Sequence, residues 1–154
     1  QYEYAILILK KFLEEPDGWI EDKLNSCLVL SCCYQAMGEN AAAFDILFYS
    51  FTMDVPRAEI CCEIGRLFME KREYVTAAYW YQQALLAPRK KKNGGFYIAD
   101  SHDFIPAIQM CVCLDKAGRH REAFEFHKKA RVLKPLHQAV IGNEKYFRDV
   151  WGME

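Results

Sequence analysis

No stretch of this sequence stays apolar for the roughly 20 residues a helix needs to cross a bilayer, so no membrane span is expected. The opening segment, Gln1 to Lys11, lacks both a basic start and a small-residue cleavage site, which argues against a secretory signal peptide. Neither sign of charge dominates. Lys and Arg total 20 against 21 Asp and Glu, a net charge of -1, and no electrostatic footprint for nucleic acid or an acidic membrane follows from that balance. Strand-like alternation of any length is missing; the periodicity is helical nearly throughout. No cysteine pair has the Cys-x-x-Cys spacing of a zinc knuckle or a redox motif. The four histidines, His102, His120, His127 and His137, make no pair at helical metal-ligand spacing. There is no His-Glu-x-x-His, no Gly-rich phosphate loop ending in Lys-Ser and no Gly-x-Ser-x-Gly. Paired carboxylates such as Glu14-Glu15 fall at a helix end and read as solvated. The expectation is therefore a non-enzyme, with no catalytic, cofactor-binding or metal-binding residue and no cofactor.

What is present is a chain of 154 residues, 52% hydrophobic and 27% charged, which suits one folded domain and not a disordered segment. Seven cysteines, an odd number, stand at 27, 32, 33, 61, 62, 111 and 113. Two pairs are adjacent, and adjacent residues point in different directions on a helix. They read as reduced thiols acting as small hydrophobes, in a cytoplasmic protein. The chain opens on Gln1 and not Met, so it is expected to be cut from something longer.

An internal repeat organises the chain. The tetratricopeptide pattern is a 34-residue helix-turn-helix with small residues where paired helices approach and large ones between hairpins. One copy spans 24–57, with Cys27, Leu30, Ser31 and Tyr34, a turn at Gly38, then Ala43, Leu47, Ser50 and Pro56. The next spans 58–91, in 34-residue register, with Cys61, Ile64, Gly65 and Phe68, then Ala77, Tyr81, Ala84 and Pro88. A third spans 104–137, with Ala107, Met110, Cys111 and Leu114, a turn at Gly118, then Ala123, His127, Ala130 and Pro135. The close-contact position is small in each: Ser31, Gly65, Cys111. Residues 1–16 read as the second helix of a truncated copy, broken by Pro16-Asp17-Gly18. Residues 138–151 read as a capping helix, because a stacked unit cannot bury its face alone. The predicted fold is all-α, a right-handed tetratricopeptide-type superhelix of helical hairpins forming a single domain.

Residues 92–103 depart from the repeat. A basic run, Arg89-Lys90-Lys91-Lys92, leads in, and Gly94-Gly95 forbids a helix there. One reading is a solvated connection whose Phe96 and Tyr97 pack back onto adjoining helices; the other is a phosphate or partner contact made by the basic run. Asp103 is placed to cap a helix from Phe104, with Pro106 in its first turn.

The candidate binding surface is the concave face, lined in this fold by the first helix of each hairpin. The repeat frame puts Leu28, Cys32 and Gln35 there from the first copy, Cys62, Arg66 and Met69 from the second, and Ile108, Val112 and Asp115 from the third. This mix of apolar residues and few charges suits an extended peptide, a helix, or a neighbouring domain. It does not suit a basic clamp for a C-terminal carboxylate, since only Arg66 is basic. A homodimer through an apolar seam on the last helix (Val140, Tyr146, Phe147, Val150, Trp151) is a further expectation.

Several stretches are more particular than the repeat. They are Arg57-Ala58-Glu59-Ile60-Cys61-Cys62-Glu63-Ile64-Gly65, Trp80-Tyr81 with Ala84-Leu85, Gly95-Phe96, Phe104-Ile105-Pro106 and Gln109-Met110-Cys111-Val112-Cys113-Leu114-Asp115, then Asn143 and Tyr146-Phe147. Over roughly residues 25 to 147 the whole resembles the C-terminal tetratricopeptide region that follows a family 2 glycosyltransferase domain in bacterial, mainly Firmicutes, proteins. That resemblance implies an accessory role: holding an acceptor polypeptide, or pairing two copies of a parent enzyme. In that family the chemistry belongs to an upstream domain that binds a nucleotide sugar through an Asp-x-Asp metal motif. No two aspartates here stand two apart, so no glycosyltransferase residue carries over. The partners implied are a protein or peptide, or the upstream glycosyltransferase domain. The alternative is a free-standing adaptor that recruits a peptide in its groove.

Overall fold

The computed structural model describes residues 1–89 and 95–154. Part of the basic run and Gly94 therefore lie outside the described residues. Among those described, the chain forms eight α-helices, two short 3-10 turns and no strand. The helices are α1 (Tyr2–Glu14), α2 (Ile20–Ala36), α3 (Asn40–Tyr49), α4 (Ala58–Glu70), α5 (Tyr74–Leu86), α6 (Phe104–Lys116), α7 (His120–Leu133) and α8 (Gln138–Trp151). Three hairpins, α2 with α3, α4 with α5 and α6 with α7, stack in chain order, with α1 before and α8 after them. The fold is a tetratricopeptide-type helical superhelix.

A repeated turn sets the phase. The backbone enters the left-handed region at Gly38 (φ 77°), Arg72 (φ 58°), Gly118 (φ 80°) and Gly152 (φ 64°), each just past the first helix of a unit. Such a residue lets the chain reverse while satisfying carbonyls that the helix end leaves open. The Glu39 amide returns to Tyr34 O at 2.8 Å, that of Glu73 to Phe68 O at 3.0 Å and that of Arg119 to Leu114 O at 2.8 Å. Residues 38 and 72 stand 34 apart, as do 118 and 152; the interval from 72 to 118 is longer by twelve residues.

Inside each hairpin, small residues stand buried on both helices. Ala43, Ala77 and Ala123 are fully buried on the second helices, and Ser31, Gly65 and Cys111 are buried on the first. Gly65 shows the reason. A Cβ built there would sit 2.9 Å from Cε2 of Tyr81, a ring that is itself buried against Cys62, Ala78 and Cys113. Larger side chains fill the space between units: Leu47, Ile60, Ile64 and Leu67 form one cluster, and Met110, Leu114, Phe124 and Phe147 belong to another.

Two polar ties join units. Arg57 is 5% exposed and forks onto both carboxylate oxygens of Glu21, at 2.9 and 2.8 Å, while also reaching Asp54 at 2.7 Å. This two-pronged geometry is what a planar guanidinium supplies and an ammonium does not. At the other end, Glu144 of α8 pairs with buried His127 and with Arg131 at 2.7 Å.

The seam expected on the last helix is corrected here. Val140 and Phe147 are each 1% exposed and pack inward on α6 and α7, so the five residues do not form an exposed stripe. With one neighbouring hairpin to cover, α8 buries one stripe and leaves Ile141 and Val150 outside. Asp103 is the N-cap of α6, its carboxylate accepting the Phe104 amide at 2.5 Å.

Candidate functional site

The first helices α2, α4 and α6, followed by α8, line one face. Side chains bridge two neighbouring pairs of them. Gln35 Nε2 of α2 donates to Glu63 Oε1 of α4 at 3.0 Å, and Tyr146 OH of α8 donates to Asp115 Oδ2 of α6 at 2.8 Å.

The nine candidate residues separate by burial. Cys32 is exposed, and Leu28, Gln35, Arg66, Met69, Val112 and Asp115 are partly exposed. Cys62 and Ile108 are buried and offer no surface to a partner. Ile108 packs with Phe104, Ala107, Ala130 and Val140 beneath α8. Cys62 lies under the 3-10 turn Ala99–His102, its thiol donating to Ser101 O at 3.4 Å.

Arg66 does not project as a free cation. Its guanidinium donates to Glu63 at 2.9 Å, and also to Glu70 and Gln35. The hydrogen bond to Glu63, ahead of the other acids, pushes its already high pKa further up. Carboxylates outnumber it locally, so this patch presents acid and amide around one compensated guanidinium. Asp115 is similarly engaged: His120 Nδ1 lies 2.7 Å away, and the His120 ring stacks on Trp151 with centroids 3.8 Å apart.

The thiols are poorly suited to nucleophilic work. Burial pushes Cys27 up to about 11 and Cys61, Cys111 and Cys113 up to about 12. Cys32 is also raised, by burial first and by Glu63 next. A thiol held protonated at neutral pH is neither a good nucleophile nor a good metal ligand. Among the described residues, no three His, Cys, Asp or Glu side chains converge as a metal site would require. No helix among them is long and apolar enough to cross a membrane.

The segment from Gly95 onward folds onto this same face. The Phe96 amide donates to Glu21 Oε2 at 3.1 Å and the Ile98 amide to Glu59 Oε1 at 2.7 Å. Tyr97 stacks on the His102 ring, 4.7 Å between centroids, and His102 Nε2 lies 3.3 Å from Glu59. Asp100 pairs with Lys134, the residue just past α7, and Asp103 with Arg89 at 3.0 Å. Sequence reasoning did not single out Glu21 or Glu59. Each is an acid in the first turn of a helix, an ordinary placement next to the positive end of the helix dipole, so nothing marks it.

No family model matches the chain, and no curated protein matches it. Among solved structures it is similar to the one titled "Crystal structure of MamA", a protein containing tetratricopeptide repeats. The superposition has a TM-score of 0.65 at 22% sequence identity and covers 96% of this chain and 81% of that one. At that identity the likeness speaks to the fold alone.

Proposed function

We propose that this chain is a non-catalytic scaffold that binds a partner polypeptide along the face made by α2, α4 and α6. The observation that carries this reading is the open part of that face. Cys32, Gln35, Arg66, Met69 and Val112 remain accessible there on consecutive hairpins, apolar groups interleaved with hydrogen-bonding ones. A surface of that kind takes an extended segment, whose apolar side chains fill gaps while its main chain finds polar partners. The setting we favour is the accessory C-terminal region of a bacterial family 2 glycosyltransferase, with an acceptor polypeptide as the segment held, or with a second copy paired. The insertion and its Phe104-Ile105-Pro106 ending support that setting, because neither belongs to the generic repeat.

Cys32 gives the test its handle, since it is the exposed cysteine of the seven. A photo-crosslinker attached to Cys32 should capture an acceptor polypeptide of the parent enzyme through an extended stretch. Arg66→Glu and Val112→Asp should each lower the yield about tenfold. A yield indifferent to both substitutions would remove the groove as the binding surface. Sequencing upstream of Gln1 tests the setting: a nucleotide-sugar domain with Asp-x-Asp supports it, and any other upstream sequence favours the free-standing adaptor.

A further inference from the structure

The last helix repeats the pattern of the first helices before it. α8 begins 34 residues after α6, and the left-handed turn at Gly118 recurs at Gly152. The inward face keeps this register. Val140 and Phe147 are buried, as are Pro106 and Cys113, their counterparts on α6. The outward face breaks it. On α6, Ala107, Cys111 and Leu114 are buried among residues of the second helix α7. Their counterparts on α8 are Ile141, Lys145 and Arg148. Ile141 is 54% exposed, the Arg148 side chain 51%, and Lys145 is exposed as well. Among the described residues, α8 has no second helix to cover them.

A cleft of about 290 Å³ stands there instead, lined by Arg131, Pro135, Ile141, Glu144, Lys145 and Arg148 among others. Three cations meet one carboxylate. Glu144 is already engaged, by buried His127 and by Arg131 at 2.7 Å. Lys145 makes no ion pair among the described residues. Arg148 reaches its neighbour Asp149 at 3.4 Å, a long contact between two exposed groups. The cleft thus combines apolar surface, from Pro135 and Ile141, with a surplus of positive charge.

Shape and charge together restrict what fits. On α2, α4 and α6 this face takes a helix. An apolar helix like α5 would strip water from Lys145 and Arg148 and leave them unpaired, which is costly. A helix with carboxylates opposite them pairs both while covering Ile141. A small anion gains only exposed ion pairs, each too weak to hold it. A second copy of the chain offers little, because α1, which has no first helix beside it among the described residues, exposes Lys10 and Lys11.

We propose that the cleft between α7 and α8 docks an acidic amphipathic helix of a partner protein, seated where a second helix would complete a fourth hairpin, with carboxylates on Lys145 and Arg148 and an apolar side chain on Ile141. This surface is separate from the groove. Lys145 adjoins Tyr146, which bonds Asp115 on the groove side, and adjacent residues of a helix point about 100° apart.

The probe is a stapled helical peptide of about 16 residues, with Glu at two positions one turn apart and Leu beside them; unconstrained helices of that length are marginal in water. Its twin carries Lys in place of both Glu. Titrated into the full chain, the acidic peptide should shift backbone resonances of α8 and the end of α7, and the twin should not. In the chain carrying Lys145→Glu and Arg148→Glu, affinity for the acidic peptide should fall about tenfold or more, and the twin should now bind. Both side chains are exposed, so the variant should keep its fold, and rescue by the twin shows that it has. No shift at α8 with the acidic peptide at about 1 mM, or equal affinity for chain and variant, would overturn the proposal. So would inorganic phosphate binding as tightly as the peptide, which would make the cleft a small-anion site. Self-association that sedimentation shows to be lost in the variant would also overturn it, by giving this face to a second copy. None of these outcomes bears on the crosslinking result from Cys32, which reads the other face.

Discussion

Glu144 and Arg57 illustrate how single charged groups set the conditions under which the stack holds. Glu144 takes a hydrogen bond from His127 Nε2 and another from Arg131 Nη1, and these hold its carboxyl below the usual range, with His127 the larger cause. A carboxyl whose pKa is lower folded than unfolded stabilises the fold above its unfolded value, about 4.3. That contribution is lost as pH falls through the lower, folded value. Glu144→Gln should therefore cost about 1 kcal/mol near neutral pH, or about 2–4 °C in Tm, with the difference shrinking as pH falls below the usual carboxylate range. Thermal melts across that range check this, and a gap that does not depend on pH would refute it. Arg57→Ala should be costlier, about 3 kcal/mol in urea unfolding, because it strips the bidentate partner from Glu21, whose side chain is only 14% exposed. A loss below about 0.5 kcal/mol would show that water replaces the guanidinium without penalty.

At the scale of the helix, the two faces of α8 make the sharpest prediction. Phe147→Ala should cost about 3–5 kcal/mol, since the ring is buried between Phe124, His127 and Tyr146. Val150→Asp, on the outward side, should change stability by no more than about 0.5 kcal/mol. Chemical denaturation of both variants tests the assignment, and a large effect at Val150 would show that its side is covered in solution. The same helix shows where sequence reading runs out. Ser31, Gly65 and Cys111 could be read in advance because close approach of two helix axes limits side-chain volume wherever it occurs. On α8 apolar residues stand on both sides, and a terminal helix with one neighbour buries one of them; periodicity alone cannot say which. Of the candidate groove residues, Cys32 and Arg66 keep accessible surface, while Cys62 and Ile108 are covered by segments distant in sequence, the turn Ala99–His102 and helix α8. Such coverage leaves no trace in local spacing. Nor do Glu21 and Glu59, whose acceptor role depends on where a segment 75 and 39 residues further along comes to lie.

Across the whole molecule, each hairpin contacts its chain neighbours and little else, so stability adds up unit by unit and the face they share is continuous. The segment from Gly95 to Ile98, with the turn that follows it, is an exception, because it touches α2, α4 and the residue just past α7 together. The surface proposed to bind polypeptide exists only if the hairpins nest closely enough to bring successive first helices side by side. That arrangement starts from close pairing of the two helices inside each hairpin, where small residues stand on the first helix and Gly65 meets the Tyr81 ring. The deciding measurement is a double-mutant cycle of Gly65→Ala and Tyr81→Leu by equilibrium unfolding. In an exposed helix, Gly→Ala stabilises by about 1 kcal/mol. Here the methyl group meets the Tyr81 ring at 2.9 Å, so Gly65→Ala should destabilise by about 1–3 kcal/mol, and in the Tyr81→Leu background that penalty should vanish or reverse. Stabilisation by Gly65→Ala in the unaltered chain, or the same effect in both backgrounds, would contradict the nested hairpin stack.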